Sequence, residues 1–203
     1  MNYGLYYNKE KLGDILFLII ESSTHPNKIL KNDEFVLLYK EEKLIGINFL
    51  NISNKVNLNT TGLISLPSKE LINTLNKILI STNIVIPQKE NSGFIVSKII
   101  DIEEHPESDH LHICKVDCGE KEPIQVVCGG YNARLNLKTV LAKPYTFMPD
   151  GSEIIPSKLL GIESYGMLCS EKELHLDKLE YKRGIIELDE AYSIGDDFFK
   201  VIQ

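Results

Sequence analysis

From Gly93 to Leu176 the sequence is a succession of short apolar and β-branched runs, each broken after a few residues by Gly, Pro, Asp or Asn. No stretch with helical spacing interrupts them. A chain patterned this way makes many short strands whose edges must be hidden, and closure into a small Greek-key barrel hides them better than an open sheet. The expected strands are 94–104, 111–117, 124–128, 139–143 and 154–160, with closing segments at 165–169 and 184–188. The first is long enough to bend, with Val96, Ile100 and Ile102 on one face and Ser97, Asp101 and Glu103 on the other. His105-Pro106 ends it, because proline restricts the preceding residue and withholds a ladder donor. Met148-Pro149-Asp150-Gly151-Ser152 is a strong turn signal.

The preceding 90 residues read differently. Strands are expected at 2–8 and 14–20, turned at Leu12-Gly13-Asp14, and at 35–39 and 44–52, turned at Lys40-Glu41-Glu42-Lys43. Ser68 is placed to cap a helix carrying Leu71, Ile72, Leu75, Ile78 and Leu79 at three-and-four spacing. One helix on a small sheet is an α+β layer. Residues 88–92 turn polar after Pro87, so the domains are expected to be 1–90, α+β and of unassigned role, and 91–203, all-β.

Charge separates the halves further. Residues 1–90 carry ten Lys against nine carboxylates, a net +1; residues 91–203 carry ten Lys and two Arg against twenty carboxylates, a net −8, and together they give the −7 of the whole chain. An acidic barrel repels a polyanion overall, so contact with nucleic acid requires a local basic patch. The early apolar run 15–20 is too short to span a bilayer and lacks the flanks of a signal peptide, so the expected location is cytoplasmic, with no membrane partner. There Cys114, Cys118, Cys128 and Cys169 are expected to be reduced thiols.

Three ordered blocks carry more information than composition. They are His105-Pro106 through Lys115-Val116-Asp117; Gln125-Val126-Val127-Cys128-Gly129 with Asn132 and Arg134; and Lys158-Leu159 through Ser164, Gly166, Met167, Ser170, Glu171 and Leu174. Over residues 90–200 these blocks resemble the tRNA-binding OB-fold module found in bacterial phenylalanyl-tRNA synthetase β subunits, at the end of many methionyl-tRNA synthetases, and in free-standing tRNA-binding proteins. The layout of an α+β segment followed by this module resembles the YtpR-type family. The resemblance implies a five-stranded OB barrel, binding of tRNA or another structured RNA by its loop face, no catalysis and no cofactor. His110, Tyr131 and Leu160 depart from the pattern, where relatives have Lys or Arg, Pro, and Arg.

The residues expected to contact RNA are Lys98, Lys115, Asn132, Arg134, Lys143, Lys158, Ser164, Met167 and Ser170. The cations would meet phosphates, and Asn132 with Ser164 or Ser170 would hydrogen-bond phosphate or the ribose 2′-hydroxyl. Tyr131, Tyr145 and Tyr165 are available for stacking on bases. Ser164 and Ser170 have no His and carboxylate at a catalytic spacing. His110, His112 and Cys114 alternate, a conceivable zinc set by ligand type, but no CxxC or HxxxH pair accompanies them, and no metal is expected. The alternative function is a protein-interaction or dimerisation module, a homodimer or an appendage to another protein, whose barrel has lost strong RNA binding.

Overall fold

The computed structural model describes residues 1–176 and 182–202, and the chain divides into two units. The first contains residues 1–90 and also 147–153. Its strands are β1 (Gly4–Tyr7), β2 (Ile15–Ile19), β3 (Lys28–Lys31), β4 (Phe35–Lys40), β5 (Lys43–Leu50) and β6 (Gly62–Leu63), joined in one antiparallel sheet of order β3-β4-β5-β2-β1-β6. Two helices accompany it, α1 (Lys9–Leu12) and α2 (Lys69–Ile78). Leu5, Leu16, Leu18, Ile47 and Phe49 point to one side of the sheet and meet Leu71, Ile72 and Leu75 of α2 and Leu79 at its C-cap. Ser68 starts α2 as expected, its Oγ accepting from the Leu71 N–H at 3.1 Å. The unit is nonetheless mainly β, its helical share resting on one α-helix of ten residues, one of four and a 3-10 turn at Ile52–Asn54.

The Leu12-Gly13-Asp14 turn is replaced by α1. Asn8 caps that turn of helix by accepting from the Lys11 N–H at 3.0 Å, and Gly13, at φ 81°, ends it. Strands β3 and β6 were not expected, being four and two residues long.

The second unit contains residues 91–146 and those from 154 onward. It comprises β7 (Phe94–Glu104), β8 (His112–Asp117), β9 (Ile124–Cys128), β10 (Lys138–Ala142), β11 (Ser157–Leu159), β12 (Ile162–Ser164), β13 (Met167–Leu168) and α3 (Phe198–Val201). The main sheet runs β13-β10-β7-β8-β9, and β11 with β12 forms a separate hairpin. The two ends of the main sheet approach each other. Beyond β12 the Tyr165 N–H donates to the Gln125 carbonyl at 2.9 Å, and the buried Ser164 hydroxyl accepts from the Val127 N–H at 3.1 Å. These bonds bring β9 toward the β13 edge and leave a nearly closed five-stranded barrel. Its core holds Ile95, Ile99, Cys114, Val116, Val126, Leu141 and Leu168.

The face assignment within β7 differs from expectation. A register shift between Ile99 and Asp101 inserts an extra residue, so Ile99 and Ile102 turn to the core while Ile100 is 45% exposed. Segment 184–188 is not a strand. It is tied in by single bonds, from the Ile186 N–H to the Cys169 carbonyl at 2.8 Å and from the Leu188 N–H to the Lys138 carbonyl at 2.9 Å. Expected strand 154–160 is reduced to β11, whose hairpin turn places Leu160 and Gly161 at φ 44° and 83°. Ser92 and Asp197 fasten the start of the unit to its end, Asp197 accepting from the Ser92 N–H and Oγ at 2.6 and 2.7 Å.

Candidate nucleic-acid interface

The loop after β9 and the segment 182–187 are built around one another. Asn132 is the latch: its Nδ2 donates to the Ile185 carbonyl at 2.9 Å and to Glu187 Oε1 at 2.8 Å, and its Oδ1 accepts from the Ile185 N–H at 2.9 Å. Gly184 makes this possible. It sits at φ 83°, and a Cβ there would lie 2.2 Å from Asn132 Oδ1. Arg134 then completes a fork on Glu187, with Nη1 to Oε1 at 2.9 Å and Nη2 to Oε2 at 2.7 Å. Those hydrogen bonds, from Arg134 first and Asn132 second, pull the Glu187 carboxyl down to a pKa of about 2.

Two clefts open on this loop pair. One, of about 400 Å³, is lined by Tyr131, Asn132, Glu171, Lys182, Arg183 and Glu187 among others. The other, of about 310 Å³, is lined by Gly129, Gly130, Met167, Ser170 and Glu173. They share Gly184 and Ile185, so the fold brings Asn132, Met167 and Ser170 to adjoining walls. Tyr131 is 74% exposed, its hydroxyl donating to the Arg183 carbonyl at 3.3 Å. Gly130 admits Ile185 against the loop, since a Cβ there would meet Ile185 Cγ2 at 2.8 Å.

A second group lies along the strands. Lys115 on β8 is directly opposite Asp101 on β7 and Gln125 on β9. Gln125 Nε2 reaches the Glu163 carbonyl at 2.7 Å, and Lys158 stands opposite Glu163 across the β11–β12 hairpin. Lys115 and Lys158 therefore belong to one strip crossing β8, β9, β12 and β11. Both are exposed, as is Tyr165, which donates its hydroxyl to Glu163.

Most of the expected cations hold a carboxylate. Lys115 Nζ is 2.7 Å from Asp101 Oδ2, and Lys158 Nζ is 3.7 Å from Glu163 Oε1. Arg134 binds Glu187, and Lys143 binds Glu120. The hydrogen bond and charge of Lys115 hold the Asp101 carboxyl below its ordinary range. Lys98 stands beside Lys138 on the β7–β10 ladder; the hydrogen bond and charge of Lys138 lower the pKa of Glu190, and the charge of Lys98 adds to this.

The two serines have internal partners. Ser164, 4% exposed, accepts from Val127 and contacts the Gly166 carbonyl at 3.3 Å, inside the barrel seam. Ser170 Oγ donates to Glu173 Oε2 at 2.6 Å and accepts from the Glu173 N–H at 3.2 Å, a reciprocal cap on the turn that follows. His110 lies in the turn before β8, and Cys114 is buried in the core while His112 is not, so the alternating trio does not share a site. Among the described residues no group of three His, Cys, Asp or Glu is placed to hold a metal ion.

Lys182, Arg183 and Glu187 line the first cleft and are not among the residues expected from the sequence to contact RNA. The Lys182-Arg183-Gly184 triplet was a usable signal, two adjacent cations before a residue that admits positive φ. Glu187 carried no local signal, because its partners lie more than fifty residues earlier.

A family model described as "Putative tRNA binding domain" matches residues 94–197. The chain is 33% identical over 200 residues to the "Putative tRNA-binding protein YtpR" of Bacillus subtilis, covering 95% of this chain and 98% of that protein. It is 32% identical over 204 residues to an uncharacterized protein of Mycoplasma pneumoniae, covering 97% of this chain and 85% of that one. It is also 41% identical over 132 residues to a phenylalanine–tRNA ligase β subunit from Wolbachia, where the match takes in 64% of this chain and 16% of the enzyme. Similarity along nearly the whole length of both chains, together with the family model over the barrel, places the protein in the YtpR family.

Proposed function

We propose that the chain is a non-catalytic, cytoplasmic binder of tRNA or a similarly structured RNA, and that its barrel is an OB fold gripping RNA by its strand face and loops. The strand order β13-β10-β7-β8-β9 with β9 returning toward β13 supports that assignment. In OB folds the second and third strands carry the binding face, and here these are β8 and β9 with Lys115 and Gln125. The observation that carries the reading is the convergence of two separate sequence blocks on the Gly184–Ile185 edge, where Lys182, Arg183 and the exposed Tyr131 meet and Arg134 is tied on through Glu187. Cations that read a phosphate backbone beside an aromatic that takes a base suit RNA held by shape.

Ser164 and Ser170 have structural roles in this reading, and with both hydroxyls engaged neither is set up as a nucleophile. The carboxylates on Lys115, Arg134, Lys143 and Lys158 act as placeholders that RNA phosphates displace. Titration of labelled total tRNA with the protein, followed by anisotropy beside a single-stranded RNA of equal length, tests it. Saturable binding that favours tRNA and falls with salt supports the reading; equal binding of both RNAs, or none at low salt, overturns it. The ion pairing itself favours a second reading, a barrel that binds protein rather than RNA. That reading requires a partner that survives nuclease treatment.

A further inference from the structure

The first unit's sheet is apolar on both faces, and α2 covers only one. An antiparallel sheet with one wet face alternates apolar with polar residues, yet the outward positions here are Ile15, Phe17 and Ile19 on β2, Val36 and Leu38 on β4, and Leu50 on β5. All are partly exposed, and none belongs to the core cluster on the α2 side. The pairing aligns four of them in two five-residue cross-strand rows, while Ile15 pairs with Leu50 beside them. One reads Tyr6, Phe17, Asn48, Val36, Lys31, and the other Gly4, Ile19, Gly46, Leu38, Ile29. Ile29, at the far edge, is 56% exposed.

The ends of the first row differ in charge. Lys31 stands exposed at the β3 edge. At the β1 edge Tyr6 donates to the Met148 carbonyl at 2.7 Å, and Asp150 and Glu153 lie near enough to add to the rise that burial imposes on its phenol pKa. Phe147 packs over Gly4 on the same face. The surface thus runs from an acidic end through an apolar middle to Lys31, across five strands and four spacings, or roughly 19 Å at the usual strand separation. At its centre are Gly46 and Asn48, small enough to allow a second sheet close approach.

We propose that this face docks a second copy of the chain, sheet against sheet about a twofold axis near Gly46 and Asn48, with Lys31 of each copy meeting the Asp150–Glu153 end of the other. A twofold axis turns a surface with opposite charges at its ends into its own complement, which selects a second copy over an unrelated partner. The packing is that of an aligned β-sandwich core. It does not depend on what the barrel binds.

Sedimentation velocity of the full chain, free of RNA, over a wide concentration range tests this. The wild type is expected to dimerise reversibly. Leu38→Lys, which puts a charge at the centre of the face, is expected to leave a monomer with an unchanged circular dichroism spectrum. Lys31→Glu and Glu153→Lys, both clear of the core, are each expected to weaken the dimer about tenfold or more, and their combination to restore it. A monomer at every concentration, a Leu38→Lys dimer as tight as wild type, or a charge swap that restores nothing overturns the proposal. Should Leu38→Lys fail to fold, the swap alone decides.

Discussion

Arg134 and Glu187, 53 residues apart, face each other as a two-pronged ion pair that also takes in the side chain of Asn132. The cation expected to meet RNA is thus already neutralised by a carboxylate that lines the cleft. A phosphate can take the same two-pronged place on the guanidinium, so RNA binding at Arg134 exchanges one anionic partner for another.

Glu187→Gln should therefore tighten tRNA binding severalfold at low salt while leaving the fold intact, as read by anisotropy. Weaker binding would mean that Glu187 serves chiefly to shape the loop. The same variant carries a pH signature. Because the folded-state pKa of Glu187 is depressed to about 2, its contribution to stability is present above the ordinary glutamate range and is lost as pH falls through the folded value. The stability difference between wild type and Glu187→Gln, measured by urea unfolding, should be constant near neutrality and shrink between about pH 4.5 and pH 2.

Ser164 gives a contrasting case. Replacement by Ala strips the buried Val127 N–H of its acceptor at the barrel seam, at a cost of about 1–3 kcal/mol in urea unfolding. tRNA affinity of the folded protein should stay within about twofold of wild type, since a group inside the seam makes no direct contact. A large loss of affinity with unchanged stability would place Ser164 at the RNA surface instead.

Gly184→Ala should do the reverse of Glu187→Gln. The new methyl group would collide with Asn132 Oδ1, in a backbone conformation that disfavours any side chain. Asn132 loses its latch, the two clefts lose their shared edge, and tRNA binding should weaken about tenfold with a stability loss of about 1–3 kcal/mol. Binding at wild-type strength would separate the latch from the RNA site.

The thiols offer a test of barrel closure. Burial raises the pKa of all four cysteines, Cys114 to about 12. Each lies within the second unit's interior. A thiol reagent at neutral pH should therefore label the native protein slowly and all four groups promptly in denaturant. Fast labelling of the native protein would show that the seam opens readily.

Where the sequence held its own answer, local pattern and tertiary environment agreed. Strands β7, β9 and the Ser68-capped helix α2 were legible because β-branched alternation and capping chemistry act over a few residues. The outward turn of Ile100 was not, because the bulge that causes it is defined by pairing with β8. Segment 184–188 is rich in β-branched and apolar residues, but Gly184 and Asn132 hold it in a loop. The cations were legible as residue types, whereas their carboxylate partners, 5 to 53 residues away, were visible only after folding. For the same reason Ser164 reads as a surface hydroxyl in the sequence and as a seam bond in the structure.

Arg134 and Lys158 meet RNA phosphates in the proposed complex, and the salt dependence of tRNA binding tests those contacts most directly. Each lost phosphate contact should flatten the slope of log affinity against log salt by about 0.7–0.9, so Arg134→Ala and Lys158→Ala should each weaken binding at low salt, and together they should flatten the slope by nearly twice the single effect. Affinity and slope that remain at wild-type values in the double variant would contradict the account and move the RNA, if any is bound, to another surface.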